Sequence, residues 1–308
     1  VKNILNRIKT FIKPAKKKNW EDASLILAAN SIINSHLWRE TPDFSQPKWI
    51  QDKEFSVYSQ FGDDGIIQWL IYFLKLPKKF GSFIEFGVGD FFESNTHFLQ
   101  INNRWRGFVM DGDKNNIKNV RQSPIYWRYE LNAKHEFITK ENIQTLLKKS
   151  MFKKIELLHI DLDGNDYWII KALDLEIFKP DILILEYNAI LGLERKITVP
   201  YSENFYRMNA HYSGKYFGAS LSALNHEAEA KGYYFIGCNS AGNNAYFLAN
   251  KYTSIIPKKD LYHGYQLSNF REARNEKGEL IYSNHKEESE TIKGMSVINI
   301  ISGKQEIF

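Results

Sequence analysis

Three groups of residues in this chain have the types and spacing to do chemistry. Gly87 and Gly89 interrupt the chain directly after the strand-forming run Phe83, Ile84 and Phe86, and a polar, then helix-like segment follows to Leu99. Glycines at a strand-to-helix turn let the backbone approach a ligand closely, and the helix beyond offers unpaired N–H groups, so the turn is a candidate nucleotide cradle. A second apolar run, Gly107 to Met110, ends in Asp111 and Asp113. In nucleoside-binding folds an acid about twenty residues beyond the glycines tips the next strand and accepts hydrogen bonds from ribose hydroxyls. The third group is carboxylate-rich: Asp161 ends the apolar run from Ile155, and Glu186 with Asn188 ends the run Asp181 to Leu185. Two acids and an amide on one sheet edge suit a hard divalent cation, or a general base with its orienting partner.

The stretch Asp161 to Asp166, DLDGND, carries four oxygen ligands and invites a calcium reading. An EF-hand loop is excluded by its glycine at the fourth position and by Ala172 at the twelfth, where that loop needs a glutamate. Asp161 is better read as the tip of a central parallel strand, with Asn165 or Asp166 capping a helix over 167–173.

These residues need an alternating α/β frame. Helical periodicity follows Tyr58 to Gly65, with Ile66, Ile67, Leu70, Ile71 and Leu74 on one face, and Asp63 or Asp64 is its expected N-cap. Ser59 and Gln60, just before it, can reach over the glycine turn. Further along, the pattern predicts a helix over 114–122, a short strand over 125–129 and a helix over 139–149 with Thr139 and Asn142 as a partial cap. The segment 191–216 has no clean period, carries Pro200 and His211, and reads as a substrate lid on which His211 is a second candidate base. A helix over 220–231 is stopped by Gly232, and runs 233–237 and 245–249 form an antiparallel hairpin around CNSAGNN. Residues 252–308 carry one more strand-like patch, 296–301.

Size and composition allow one large α/β domain with additions: 308 residues, 43% hydrophobic, 25% charged. The net charge of +5 is concentrated at the start, where Lys2, Arg7, Lys9, Lys13 and Lys16 to Lys18 fall. A general nucleic-acid surface is therefore not indicated. Residues 1–19 place Ile4, Leu5, Ile8, Phe11 and Ile12 at helical spacing among those cations, a pattern open to peripheral contact with an anionic membrane or to packing on protein. The start is too broken by charge for a secretory signal, and no run is long enough to span a bilayer. One cysteine, Cys238, excludes an intramolecular disulfide and a thiolate zinc cage. The expected setting is cytoplasmic, with the inner membrane face left open.

Five αβ repeats followed by an antiparallel hairpin is the plan of class I S-adenosylmethionine-dependent methyltransferases. The blocks YSQFGDDG, FIEFGVGDFFESNTHFL, VMDGD, HIDLDGNDYWIIKAL, LILEYN and YFGASLSAL, in this order, resemble those of a bacterial FkbM-like group found with surface-polysaccharide genes. The resemblance spans about residues 55–250. It implies a Rossmann-like seven-stranded sheet with a terminal hairpin, S-adenosylmethionine as cofactor and O-methylation of a sugar or glycan-linked acceptor. It places the methyltransferase domain over 55–251, with the lid near 191–216, and says little about the ends, which are read from their own residues as a basic amphipathic and helical N-terminal extension (1–54) and a C-terminal cap or edge addition (252–308). On the cofactor it puts Glu85, Gly87 and Gly89 as the first motif, Asp111 or Asp113 as the ribose acid and Asp161 as the acid ending the fourth strand; Gln60, which can reach over the turn, and Asn95 are further cofactor-binding candidates. Sugar-methylating relatives that bind a divalent metal imply Asp161 and Glu186, with Asn188, as ligands for magnesium or a similar ion. Phe91 departs from the pattern, standing where a fuller motif has a third glycine.

Two other readings stay open on the residues alone: a nicotinamide oxidoreductase, against which the incomplete glycine spacing speaks, and a methyltransferase-fold scaffold without turnover. The acceptor, a small molecule or glycan, and the oligomeric state are not specified by the sequence, and a homo-oligomer is left open.

Overall fold

The computed structural model describes residues 18–270 and 272–308; the basic segment singled out at the start lies, apart from its last two residues, outside them. The chain divides into two compact units, Val1–Thr41 and Pro42–Phe308. In the first, helix Lys18–Asn34 is followed by a short helix, His36–Arg39. Among the described residues no helix is long and apolar enough to cross a membrane.

The second unit is built on strands β1 (Ser82–Phe86), β2 (Arg106–Asp111), β3 (Leu131–His135), β4 (Leu157–Ile160), β5 (Ile182–Glu186), β6 (Ile197–Thr198), β7 (Tyr233–Cys238), β8 (Asn244–Ala249), β9 (Ser296–Asn299) and β10 (Gln305–Ile307). Seven of them form one sheet in the order β3-β2-β1-β4-β5-β8-β7. β1 to β5 run parallel and β8 is antiparallel to both β5 and β7. This is the Rossmann-like α/β sheet with a terminal antiparallel hairpin that the sequence predicts. β1, β4 and β5 are buried along their whole length, as parallel strands covered on both faces must be. β3, at the edge, alternates buried and exposed positions instead. The order reverses between β1 and β4, and in such sheets the crevice beyond the carboxyl ends at that point receives ligands.

Several local expectations are corrected. Residues 125–129 are not a strand: Pro124 opens a helix, Pro124–Arg128, and the third strand follows at β3. A short apolar aromatic run fits either state, and proline at the first helical position decides it here. Neither Asp63 nor Asp64 caps its helix, Asp63–Phe73, whose N-cap is Gly62. The buried Asp64 carboxylate instead accepts from the backbone N–H groups of Val57, Tyr58 and Ser59 at 2.7, 2.7 and 3.0 Å, and so folds the preceding loop. Helix Ile143–Lys148 starts later than predicted because Thr139 and Asn142 pair reciprocally ahead of it.

β6, from the expected lid, pairs with β9, and β9 with β10, in a separate three-stranded sheet. The strand-like patch near 296–301 therefore joins residues 191–216 rather than the main sheet. Ile190, Leu191, Ile197, Val199, Tyr216, Ile292 and Val297 form the small core between them.

Candidate active site

β1 ends at Phe86, and the chain turns through Gly87 at φ +75° and Gly89 at φ +56°. Both values are in the left-handed region that glycine enters without penalty. Gly87 has no room for a side chain: a Cβ there would lie 1.6 Å from the Asp161 carbonyl oxygen. Gly89 faces open space. Its N–H donates to Asp111 Oδ2 at 2.9 Å, while Asp111 Oδ1 accepts from Asp113 N and Asn116 Nδ2 at 2.7 and 3.1 Å. Asp111 thus ties the glycine loop to the tip of β2. Asp113 does something simpler, capping helix Lys114–Gln122 through Asn115 N at 2.7 Å.

Phe91 keeps the left-handed conformation its position demands, at φ +65°, and its ring is buried. It lies 5.1 Å from the His97 ring, which stacks 3.9 Å from Tyr58. Burial pushes His97 down to about 4, so this is a neutral stack. The missing third glycine is replaced by an aromatic brace.

Glu85 lies beneath the loop. It accepts from Ser94 Oγ at 2.6 Å, Thr96 Oγ1, Asn95 N at 3.3 Å and His159 Nδ1 at 3.0 Å. Burial pushes Glu85 up, but the His159 ring and the hydroxyls together hold it below its ordinary value. Burial pulls His159 down, and Glu85 more than restores it. The two form a buried ion pair, with Asn95 Nδ2 3.5 Å from His159 Nε2.

The tips of β4 and β5 bring together Asp161, Asp163 and Glu186, each with a carboxylate oxygen within 4.8 Å of the others. Burial, with Asp163 beside it, pushes Asp161 up to about 7. Burial and Asp161 push Glu186 well above its ordinary range. Glu186 Oε2 is buried without a hydrogen-bond donor. Asp166 does not cap its helix; its carboxylate accepts from Leu162 N and Gly164 N at 2.7 and 3.0 Å and braces the turn in which Asp163 sits at φ +54°. Asn165 occupies the N-cap position, but its side chain donates to Ser202 O instead.

Two cavities open on this edge and share Gly87, Gly89, Asp161 and Asp163 on their walls. The larger, about 740 Å³, is bordered by Asp111, Asp113 and the apolar faces of Phe137, Ile138, Leu162 and Phe205. The smaller, about 430 Å³, holds Glu186, Glu85, Asn95, His159, Asn243 and Asn244, with Gln60 and Phe61 at its rim. Gln60 Nε2 donates to Glu93 Oε2 at 3.2 Å across that rim, whereas Ser59 is buried against Asp64.

Two predicted site residues are displaced. Asn188 lines neither cavity: its Nδ2 donates to Lys215 O and Phe217 O at 2.9 and 3.0 Å and its Oδ1 accepts from Ile190 N. Asp163 takes its place in the acid cluster, and the Asp161/Asp163 alternation in DLDGND was the available signal. His211 lines neither cavity; it ends the helix Arg207–Ala210 and bonds Ser213 Oγ at 2.8 Å. One helical turn earlier, Arg207 enters the smaller cavity, 2.9 Å from Asp163 and paired also with Glu272. Phe270 covers Phe61 at 5.1 Å. Nothing in the sequence pattern singled out Arg207, Glu272 or Phe270, which meet from segments far apart in the chain.

No family model matches the sequence, and no curated protein matches it. Solved structures do. TrmK of M. capricolum, in complex with S-adenosyl-homocysteine, is 12% identical over 58% of this chain and 65% of its own, just under two thirds, with a TM-score of 0.35. The CurJ carbon methyltransferase is 11% identical over 75% and 68%, with a TM-score of 0.40. The plantazolicin methyltransferase BamL, in complex with a triazolic desmethylPZN analog and SAH, is 14% identical over 69% and 78%, with a TM-score of 0.37.

Proposed function

We propose that this chain transfers a methyl group from S-adenosylmethionine to a hydroxyl of a sugar or glycan-linked acceptor, in the making of bacterial surface polysaccharide. The observation that carries the reading is the pair of cavities meeting at Gly87, Gly89, Asp161 and Asp163. Methyl transfer needs donor and acceptor held in line in adjoining spaces from which water is kept out. In the larger space Asp111 is available to ribose hydroxyls, the open side of Gly89 admits close approach, and Phe137, Ile138 and Leu162 offer apolar faces to a flat ring.

In the smaller space Asp161, pushed up to about 7, is poised to take a proton from an acceptor hydroxyl near neutral pH, and Glu186, pushed well above the ordinary carboxylate range by burial and by Asp161, is its orienting partner. Arg207 keeps Asp163 and Glu272 paired at the rim, and Phe61 with Phe270 narrows the entrance. The donor set also fits a hard divalent cation: three carboxylates within 4.8 Å, one presenting an orphaned buried oxygen. Bound there, such an ion would make a coordinated hydroxyl more acidic.

The test is a thermal shift and transfer assay. S-adenosylhomocysteine should raise the melting temperature while NAD leaves it unchanged. Labelled methyl transfer to nucleotide sugars or capsule fragments should vanish in Asp161→Asn. Protection by NAD alone, or full activity in the variant, refutes the proposal.

A further inference from the structure

The edge of the main sheet opposite the candidate site carries an apolar and basic face that methyl transfer does not use. β1, β2, β3 and β4 run parallel and side by side, so the segments that enter them, residues 75–81, 102–105, 123–130 and 149–156, gather at one edge. They are tied together there: Phe80 N donates to Asn103 O at 3.2 Å, Gly107 N to Glu130 O at 2.9 Å and Ser82 Oγ to Lys154 O at 2.5 Å. The guanidinium of Arg106 lies over the Phe152 ring at 5.2 Å.

From this edge project Phe80, Trp127 and Met151, which are 67%, 74% and 88% exposed. Phe80 and Met151 stand at φ +61° and +58°, in turns that glycine would make without strain. Folding alone gives no reason for a large apolar side chain at either turn, and exposed apolar surface gathered in one place marks an interaction.

Around these tips the charge is almost all of one sign. The four segments hold eight cations against two acids, Glu130 and Glu156. Glu156 is buried and accepts from Ser82 N at 2.6 Å. Lys75, Lys78, Lys79, Arg104, Arg128 and Lys153 are exposed, and among the described residues none of these six pairs with a carboxylate.

We infer that this edge docks on an anionic lipid surface, with Phe80, Trp127 and Met151 entering the headgroup boundary while the surrounding lysines and arginines meet lipid phosphates. The inference does not depend on the methyl-transfer reading. RNA would answer the charge equally well, but not the tips: Met151, the most exposed of the three, has no ring to stack on a base. With this edge on the bilayer, the crevice at the carboxyl ends of the same strands faces away from it.

The test is co-sedimentation of the full chain with vesicles of equimolar phosphatidylcholine and phosphatidylglycerol, set against phosphatidylcholine vesicles and against transfer RNA. The protein should partition onto the anionic vesicles and not the neutral ones, and less so as salt is raised. Replacing the tips together, Phe80→Ser, Trp127→Ser and Met151→Ser, should weaken partitioning at least about tenfold, and so should Lys78→Glu with Lys79→Glu. All five positions are exposed, so the melting temperature should hold, and both variants keep the cations at the start of the chain. No partitioning, equal partitioning onto neutral vesicles, undiminished partitioning in either variant, or tighter binding of transfer RNA than of anionic vesicles overturns the inference.

Discussion

Gly87 and Asp161 touch across the sheet: the space a side chain would need at Gly87 is filled by the Asp161 carbonyl oxygen, 1.6 Å from where a β-carbon would sit. Because β1 and β4 are neighbours, this contact forces the glycine loop and the acid cluster to open onto one crevice.

The two loop glycines should therefore respond differently to the same change. Gly87→Ala combines left-handed strain with a backbone overlap that no side-chain movement relieves, and should cost at least about 3 kcal/mol or prevent folding. Gly89→Ala meets only strain, about 1 kcal/mol, because its Cβ points into open space. That space is the crevice, so Gly89→Ala should fold yet bind S-adenosylhomocysteine weakly. Calorimetry and denaturant melts separate the effects, and equal stability losses would contradict the packing.

Much of this frame was legible because it is local. Apolar runs broken by glycine, and acids at strand ends, mark β1, β2, β4 and β5 and their tips without knowledge of the fold. The errors share a cause. Ile125 to Tyr129 has too few residues for a period to show, and Asn188 and His211 look reactive until their neighbours are known. Arg207 and Glu272 meet only in three dimensions, from positions 65 residues apart. Asn244 was readable as hairpin but not as a neighbour of Asp63, to which its Nδ2 donates at 3.1 Å from 181 residues away.

The acid cluster makes stability depend on pH with an unusual sign. The folded Asp161 holds its proton to about 7, against an ordinary value of 3.8, so between these values the native state binds a proton that the unfolded chain has released. Stability therefore falls as pH rises through that window, and Asp166 and Asp64, both raised to about 6 chiefly by burial, act in the same direction. In EDTA the melting temperature should be higher at pH 5.5 than at pH 8. Asp161→Asn should reduce this dependence and melt higher than the parent at pH 8 while losing transfer. An unaltered pH slope in the variant would show that Asp161 titrates normally.

Divalent cations should reverse the penalty. Magnesium or manganese should raise the melting temperature more at pH 8 than at pH 6, since at the lower pH the ion competes with the held protons. Glu186→Gln should weaken the shift at least about tenfold in ion concentration, as loss of a charged oxygen ligand does. Asn188→Ala should leave ion affinity unchanged and lose about 1–3 kcal/mol of stability, because the Lys215 and Phe217 carbonyls lose their donor. An ion response weakened by Asn188→Ala as well as by Glu186→Gln would restore the ligand set read from the sequence.

The two acids at the tip of β2, Asp111 and Asp113, separate the larger cavity's binding from its scaffolding. Asp113→Ala removes a helix cap and should cost about 1 kcal/mol. Its affinity for S-adenosylhomocysteine should fall less than that of Asp111→Ala, since the Asp113 carboxylate, though it borders the cavity, is spent on the cap. Asp111→Ala removes the carboxylate that orients Gly89 N and faces the cavity, and should weaken that affinity by at least about tenfold, as loss of a charged hydrogen-bond partner does. Titration calorimetry on both variants, with melts as the stability control, gives the comparison. If Asp113→Ala loses the greater affinity, the nucleoside does not approach through Asp111, and the larger cavity must be entered from the side of helix Lys114–Gln122.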